Sequence, residues 1–231
     1  MQKTGKGKAI IILGARQTGK TTLIKKIIAE EPQRTLFLNA DKPIIQKQLE
    51  SKSIEDYKQL FGDARLVFID EAQRIENIGI VLKLIVDEIP EVQLVVTGSS
   101  ALELANTVNE PLTGRKFEYK LYPISWSELV KHTNYIEALS QLNQRIIFGM
   151  YPEVITSKGN EKEILLSISE SYLYKDLIAF QQIRKPEFVQ KLLQAIAFQI
   201  GSEVSYNELS NLLQIDRKTI IHYIDLLEKA Y

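Results

Sequence analysis

The chain has 231 residues, 45% of them hydrophobic, enough for one domain of ordinary size and a small second one. Its 29 basic and 29 acidic residues cancel, which excludes a global basic field that would draw in nucleic acid. With no cysteine there are no disulfides, thiolate catalysis or sulfur metal sites, and His132 and His222 lie too far apart in sequence to suggest zinc. No apolar run has the length of a signal peptide or membrane span, so a cytoplasmic protein is expected.

Ile10 to Leu13 form an apolar run of strand length. Gly14-Ala15-Arg16-Gln17-Thr18-Gly19-Lys20-Thr21 follows it and fits the phosphate-loop pattern G-x-x-x-x-G-K-[ST]. Leu23, Ile24, Ile27 and Ile28 then mark one face of a helix that Pro32 should end. The loop thus stands between a strand and a helix, as the motif requires. Gly14 and Gly19 let the backbone curl so that N–H groups converge on an anion, and Thr22 closes the binding segment. In that arrangement Lys20 reaches the β- and γ-phosphates and the Thr21 hydroxyl coordinates Mg²⁺.

A second strand is expected at Thr35 to Leu38, followed by a polar helical stretch that runs to Phe61-Gly62. The next apolar run, Leu66 to Ile69, ends in Asp70-Glu71. A carboxylate at the end of a buried strand can hold Mg²⁺ beside phosphates, which is the role expected of Asp70. Glu71 would accept a proton from the water that attacks the γ-phosphate. Adjacent Asp and Glu favour hydrolysis over phosphoryl transfer, so a small-molecule kinase is disfavoured.

Ile78, Val81, Leu82, Ile85 and Ile89 keep helical spacing up to Pro90, and a fourth strand runs from Val92 to Val96. If this strand lies between the first and third, its polar end reaches the γ-phosphate or the attacking water. Thr97 is then the candidate sensor and Ser99 the second choice; either could instead cap a helix beginning near Ala101. Phe117, Tyr119 and Leu121 alternate with charged residues in a half-covered fifth strand. Arg115, just before it, is expected on the ligand side, where a guanidinium stabilises transition-state charge in cis or in trans. It could equally be a solvated arginine, and Arg16 and Arg74 are weaker candidates.

Ser125-Trp126-Ser127-Glu128 has the form of a capping box, as do Asn160 with Glu163 and Ser205 with Glu208. The helix from Asn160 carries Ile164, Leu165, Ile168, Tyr172 and Leu173, and Pro186 separates it from a helix over Phe188 to Ile200. A short helix through Leu213, a turn at Gln214-Ile215-Asp216 and a helix from Arg217 to Ala230 have helix–turn–helix proportions. Ile220, Ile224 and Leu227 should be buried there, with Arg217, Lys218 and His222 exposed. From Arg184 to Tyr231 six basic residues meet six acidic ones, so DNA binding has weak support. Packing, a protein partner or self-association is the favoured use of this helical region.

The series GARQTGKTT, LVFIDEAQRI, VVTGSSALEL, LTGRKFEYKLYPISWSEL, GMYPEV and SYLYKDLIAF resembles the bacterial and archaeal AAA+-type ATPases of the AAA_14 family. The resemblance covers nearly the whole chain. It implies a P-loop ATPase core, a helical region and a winged-helix-like segment. In that family a segment normally precedes the loop strand, and the chain continues well past the equivalent of Tyr231. The expected fold is therefore α/β: a P-loop NTPase parallel sheet with helices on both faces, then a small helical, winged-helix-like segment. The expected bounds are 1–135 for the core, 136–183 for a helical linker and 184–231 for a partial winged-helix or helix–turn–helix segment. ATP and Mg²⁺ are the implied ligands, with ATP hydrolysis or a switch as the function. The alternative is a regulatory ATP-binding module with negligible turnover.

Overall fold

The computed structural model describes residues 7–30, 34–50, 53–98, 108, 111–169 and 186–230. Strand β1 (Ala9–Leu13) leads through the glycine loop into helix α1 (Lys20–Glu30). Then come β2 (Thr35–Asn39), α2 (Pro43–Leu49), α3 (Ile54–Phe61), β3 (Leu66–Asp70), α4 (Ile78–Glu88), β4 (Gln93–Gly98) and β5 (Lys116–Lys120). The five strands form one sheet in the order β2-β3-β4-β1-β5, and every neighbouring pair is parallel. Strand β4 lies between β3 and β1, as the sensor argument required.

Period-two side-chain alternation lets each strand feed two cores. Ile11, Leu13, Val67, Ile69, Leu94 and Val96 pack on one face with Leu49, Tyr57, Phe61, Leu82 and Ile85 from α2, α3 and α4. On the other face Ile10, Ile12, Phe68 and Val95 meet Ile24 of α1, with Ile27 and Ile28 partly buried there. Helices therefore cover both faces of the sheet. Leu23, expected on the apolar face of α1, is 37% exposed instead. At 100° per residue it falls off the stripe that Ile24 centres.

The polar stretch before β3 forms two helices rather than one. Glu50, extended at ψ 125, ends α2, and Ser53 starts α3 with a complete capping box in which its hydroxyl accepts from the Asp56 N–H. All five apolar positions of the next stretch, Ile78, Val81, Leu82, Ile85 and Ile89, are buried as their spacing predicts. Strand β5 occupies the sheet edge, where its alternating charges suit a half-solvated position. Tyr119 is consequently exposed, while Leu121 packs against the second core.

Four short helices follow within the same compact unit, Met1–Lys158: α5 (Trp126–His132), α6 (Tyr135–Ser140), α7 (Leu142–Phe148) and α8 (Pro152–Thr156). The Ser125 box is formed, and the Ser125 backbone N–H and hydroxyl hold the Glu128 carboxyl below its usual range. Buried Arg145 ties α7 to α8 by donating to the Val154 carbonyl at 3.4 Å.

The second unit, Gly159–Tyr231, contains α9 (Glu161–Ile168), α10 (Pro186–Ala197), α11 (Tyr206–Leu213) and α12 (Arg217–Ala230). The Asn160 capping box is not formed. At φ −114 and ψ 15 Asn160 lacks the extended backbone that turns a cap side chain over the helix, and Glu161 accepts from the Gly159 N–H instead. The Ser205 cap is half made, with the Ser205 hydroxyl accepting from the Glu208 N–H at 3.4 Å. Helix α10 starts at Pro186 itself, whose missing N–H costs nothing in a first turn. Tyr172 and Leu173 lie outside the described residues.

Between α11 and α12, Gln214 turns the chain at φ 55 and Asp216 accepts from the Thr219 N–H at 3.0 Å. Ile220, Tyr223, Leu226 and Leu227 form the buried face of α12, with Ile224 half-buried, while Arg217, Lys218 and His222 are exposed. No strand occurs among the described residues of this unit. No helix among the described residues is long and apolar enough to cross a membrane.

Candidate functional site

The phosphate-type loop occupies the carboxyl end of β1, between Leu13 and the first residue of α1, Lys20. Helix hydrogen bonding begins with the Leu23 N–H on the Gly19 carbonyl at 2.8 Å. The N–H groups of the first turn thus have no acceptor within the helix and face the loop. Gly19 needs its lack of a side chain because φ is 95. Gly14 needs it for another reason: a Cβ there would stand 2.4 Å from the Leu121 carbonyl oxygen. The Leu121 N–H also donates to the Leu13 carbonyl at 2.7 Å, so the segment leaving β5 is clamped against the loop's first turn.

Within the loop, Thr18 and Lys20 are buried, and Gly14, Ala15, Arg16, Gln17 and Gly19 are half-buried. The Lys20 ammonium crosses the loop and donates to the Gly14 and Ala15 carbonyls at 2.8 Å each. The Thr18 hydroxyl donates to the Ala15 carbonyl at 2.8 Å. Gln17 holds a left-handed φ of 62, and its buried Oε1 takes no hydrogen bond among the described residues. Thr22 is exposed on the first turn of α1.

Asp70 ends β3 at the same edge, 2% exposed, with both carboxylate oxygens engaged. Oδ2 accepts from the Thr21 hydroxyl at 2.8 Å, and Oδ1 accepts a short bond from the Thr97 hydroxyl. Thr97 is fully buried, and its oxygen also accepts from the Glu71 N–H at 3.3 Å. The fold thus joins residues 21, 70, 71 and 97 into one continuous polar knot at the loop's mouth. Glu71 itself is left-handed at φ 56, and its carboxylate accepts from the Gln73 side-chain amide at 2.6 Å. Ser99 lies outside the described residues.

Arg115 is not at this edge. The expectation that it emerges on the ligand side is overturned, because its carbonyl accepts from the Ala9 N–H and Lys116 pairs with Ala9. A residue that precedes a strand in a parallel sheet stands at the amino edge. The whole of β1 therefore separates Arg115 from the loop, roughly 16 Å at ~3.3 Å per residue. Its guanidinium is committed to Asp87 at 2.5 Å. Arg74 does stand at the carboxyl edge, in the short 3₁₀ turn Ala72–Arg74, 3.6 Å from Asp41.

Sequence reasoning missed two contributors: Gln73 and the Leu121 carbonyl. Gln73 lies two residues past the acidic pair, and that local spacing was the one available signal.

The donor set suits a hard divalent cation. Thr21 and Asp70 supply oxygens beside the loop, and among the described residues no cluster of three or more His, Cys, Asp or Glu could hold a metal unaided. Mg²⁺ bound largely by substrate phosphates and water fits that sparse set.

Comparison with known proteins agrees with this geometry. The fold is similar to that of a Walker-type ATPase of Pyrococcus abyssi, with a TM-score of 0.65 at 15% identity over 96% of this chain and 84% of that one. Uncharacterized proteins of Haemophilus influenzae and Methanocaldococcus jannaschii are 26% and 24% identical over 96% and 97% of this chain. A third, from Mycobacterium tuberculosis, is 25% identical over 96%. The chain spans only 60%, 56% and 48% of these three relatives' lengths. Residues 139–231 match a domain of unknown function, DUF8612. Residues 6–130, which contain the loop, Asp70, Glu71 and Thr97, match the AAA domain of the AAA_14 family, and the chain belongs to that family.

Proposed function

We propose that the chain binds ATP with Mg²⁺ and hydrolyses it, and that the helical residues beyond the sheet read out the cycle. The observation that carries this reading is the knot of Thr21, Asp70, Thr97 and Glu71 at the mouth of the loop. Backbone N–H groups of the loop and of the first turn of α1 surround the β- and γ-phosphates. Lys20, whose ammonium donates to the Gly14 and Ala15 carbonyls, would turn to the phosphate oxygens of a bound triphosphate. Thr21 and Asp70 would hold Mg²⁺, which when bound would neutralise charge on the phosphate oxygens.

Glu71 takes a proton from a water as that water's oxygen bonds to the γ-phosphorus. The bond from phosphorus to the β–γ bridging oxygen breaks, and ADP leaves with the electron pair. The proton then passes from Glu71 to solvent. Thr97, at the end of the strand between loop and acidic pair, keeps Asp70 and the Glu71 backbone in register.

Phosphate release by the purified chain, with ATP and Mg²⁺ and again with EDTA, tests this proposal. Steady, EDTA-sensitive release is expected. ATP bound tightly without release would instead support a regulatory module. Adding DNA to the same assay asks whether the helical region couples turnover to it, for which its balanced charge provides no driving force.

Arg115 makes a useful negative control. Its ion pair is 42% and 33% exposed, so Arg115→Ala should cost at most about 1 kcal/mol of stability. Turnover should stay at the wild-type rate, as measured by urea denaturation and phosphate release in parallel. A tenfold fall in a folded variant would put the residue back in the site.

A further inference from the structure

We infer that Gln73 is a positioning residue for Glu71, holding the carboxylate that must meet the attacking water. The inference rests on the hydrolytic reading above and adds a residue to it. Three constraints converge on Glu71. Its backbone takes φ 56 and ψ 41, a left-handed conformation that a residue with a side chain adopts only when its surroundings enforce it. Its N–H is held by the Thr97 hydroxyl, which itself donates to Asp70. Its Oε2 accepts from Gln73 Nε2 at 2.6 Å.

The turn that carries Gln73 is itself anchored. The Arg74 N–H donates to the Glu71 carbonyl and the Ile75 N–H to the Ala72 carbonyl, both at 3.0 Å. Ala72 is fully buried and Ile75 nearly so, on the core face of the sheet. Gln73 and Glu71 are both half-buried between those anchors. A glutamate has three rotatable bonds beyond its Cα, and the backbone constraints leave those free. The amide of Gln73 removes that freedom at one oxygen. Among the described residues the other oxygen, Oε1, takes no hydrogen bond, which leaves it to receive the proton.

On this reading Gln73 acts through Glu71. The test is a double-mutant cycle on ATP turnover with wild type, Gln73→Met, Glu71→Gln and the pair. Met keeps the length of Gln and removes the amide that donates to Glu71, so the fold should persist, with circular dichroism and thermal melting as the check; Gln73→Ala serves as a second variant. Gln73→Met is expected to lower kcat roughly 10- to 100-fold, since a displaced base loses rate steeply, with KM and ATP affinity within about twofold of wild type. In the Glu71→Gln background the same change should have no further effect.

An additive double variant, or wild-type kcat in Gln73→Met, overturns the inference while leaving hydrolysis standing. A parallel rise in KM assigns Gln73 to binding and also overturns it. Wild-type protein that binds ATP without turnover removes the hydrolytic reading itself, and the inference with it.

Discussion

Lys20→Ala should lower ATP affinity by roughly 100-fold, about 3 kcal/mol, the scale of losing a charge-assisted hydrogen bond to phosphate. Lys20 is 4% exposed, and its ammonium already lies across the loop on the Gly14 and Ala15 carbonyls. On the proposed reading, phosphate oxygens would replace the carbonyls of Gly14 and Ala15 as its acceptors. Lys20→Met retains the buried aliphatic stem and isolates the effect of the ammonium from that of packing. Isothermal titration with ATP and Mg²⁺ measures both variants, with circular dichroism to verify folding. Wild-type affinity in either folded variant would mean that the loop does not bind the triphosphate through Lys20.

Glu71→Gln should separate binding from chemistry. The amide keeps the shape of the side chain and an oxygen that can still accept from Gln73, but it cannot take a proton at neutral pH. ATP should bind with nearly wild-type affinity while phosphate release falls by roughly 10²-fold or more. Asp70 should be unaffected, because its oxygens are tied to Thr21 and Thr97 rather than to Glu71. Single-turnover release over a range of ATP concentrations distinguishes the two steps. Turnover at the wild-type rate would make Glu71 a structural residue whose left-handed turn merely leads the chain out of β3.

What the sequence disclosed was local chemistry. The phosphate loop spans only Gly14 to Thr21, and Gly19 has to accommodate φ 95 whatever surrounds it, so spacing alone identified it. The Ser125 capping box is read just as locally, since both of its hydrogen bonds close within three residues. Where a local pattern failed, a backbone angle was the cause: Asn160 has the right neighbour in Glu163 but the wrong ψ. The split between α2 and α3 also turns on a backbone angle, the extended ψ of Glu50 beside the Ser53 cap.

Arg115 shows the limit of such reading. Its place after Gly114, at the mouth of a strand, made it a candidate ligand-side arginine, but its position depends on which strand β5 pairs with and in which direction. Parallel pairing with β1 puts Arg115, the residue that leads directly into β5, at the edge away from the loop. Thr97 is the converse case. Its place beside Asp70, 27 residues earlier in the chain, follows from β4 lying between β3 and β1.

Sequence by itself determined that this chain carries a phosphate loop, an acidic pair after a buried strand, and helices after the sheet. Each of these is encoded within a few residues, by glycine conformations, apolar periodicity and caps. Only the tertiary structure decided which of the polar side chains meet. The Thr21–Asp70 bond spans 49 residues of chain, and the Leu121 carbonyl meets Gly14 only because β5 lies along β1. Strand order and direction are set by burying two apolar faces at once, a property of the assembled sheet that no single segment carries.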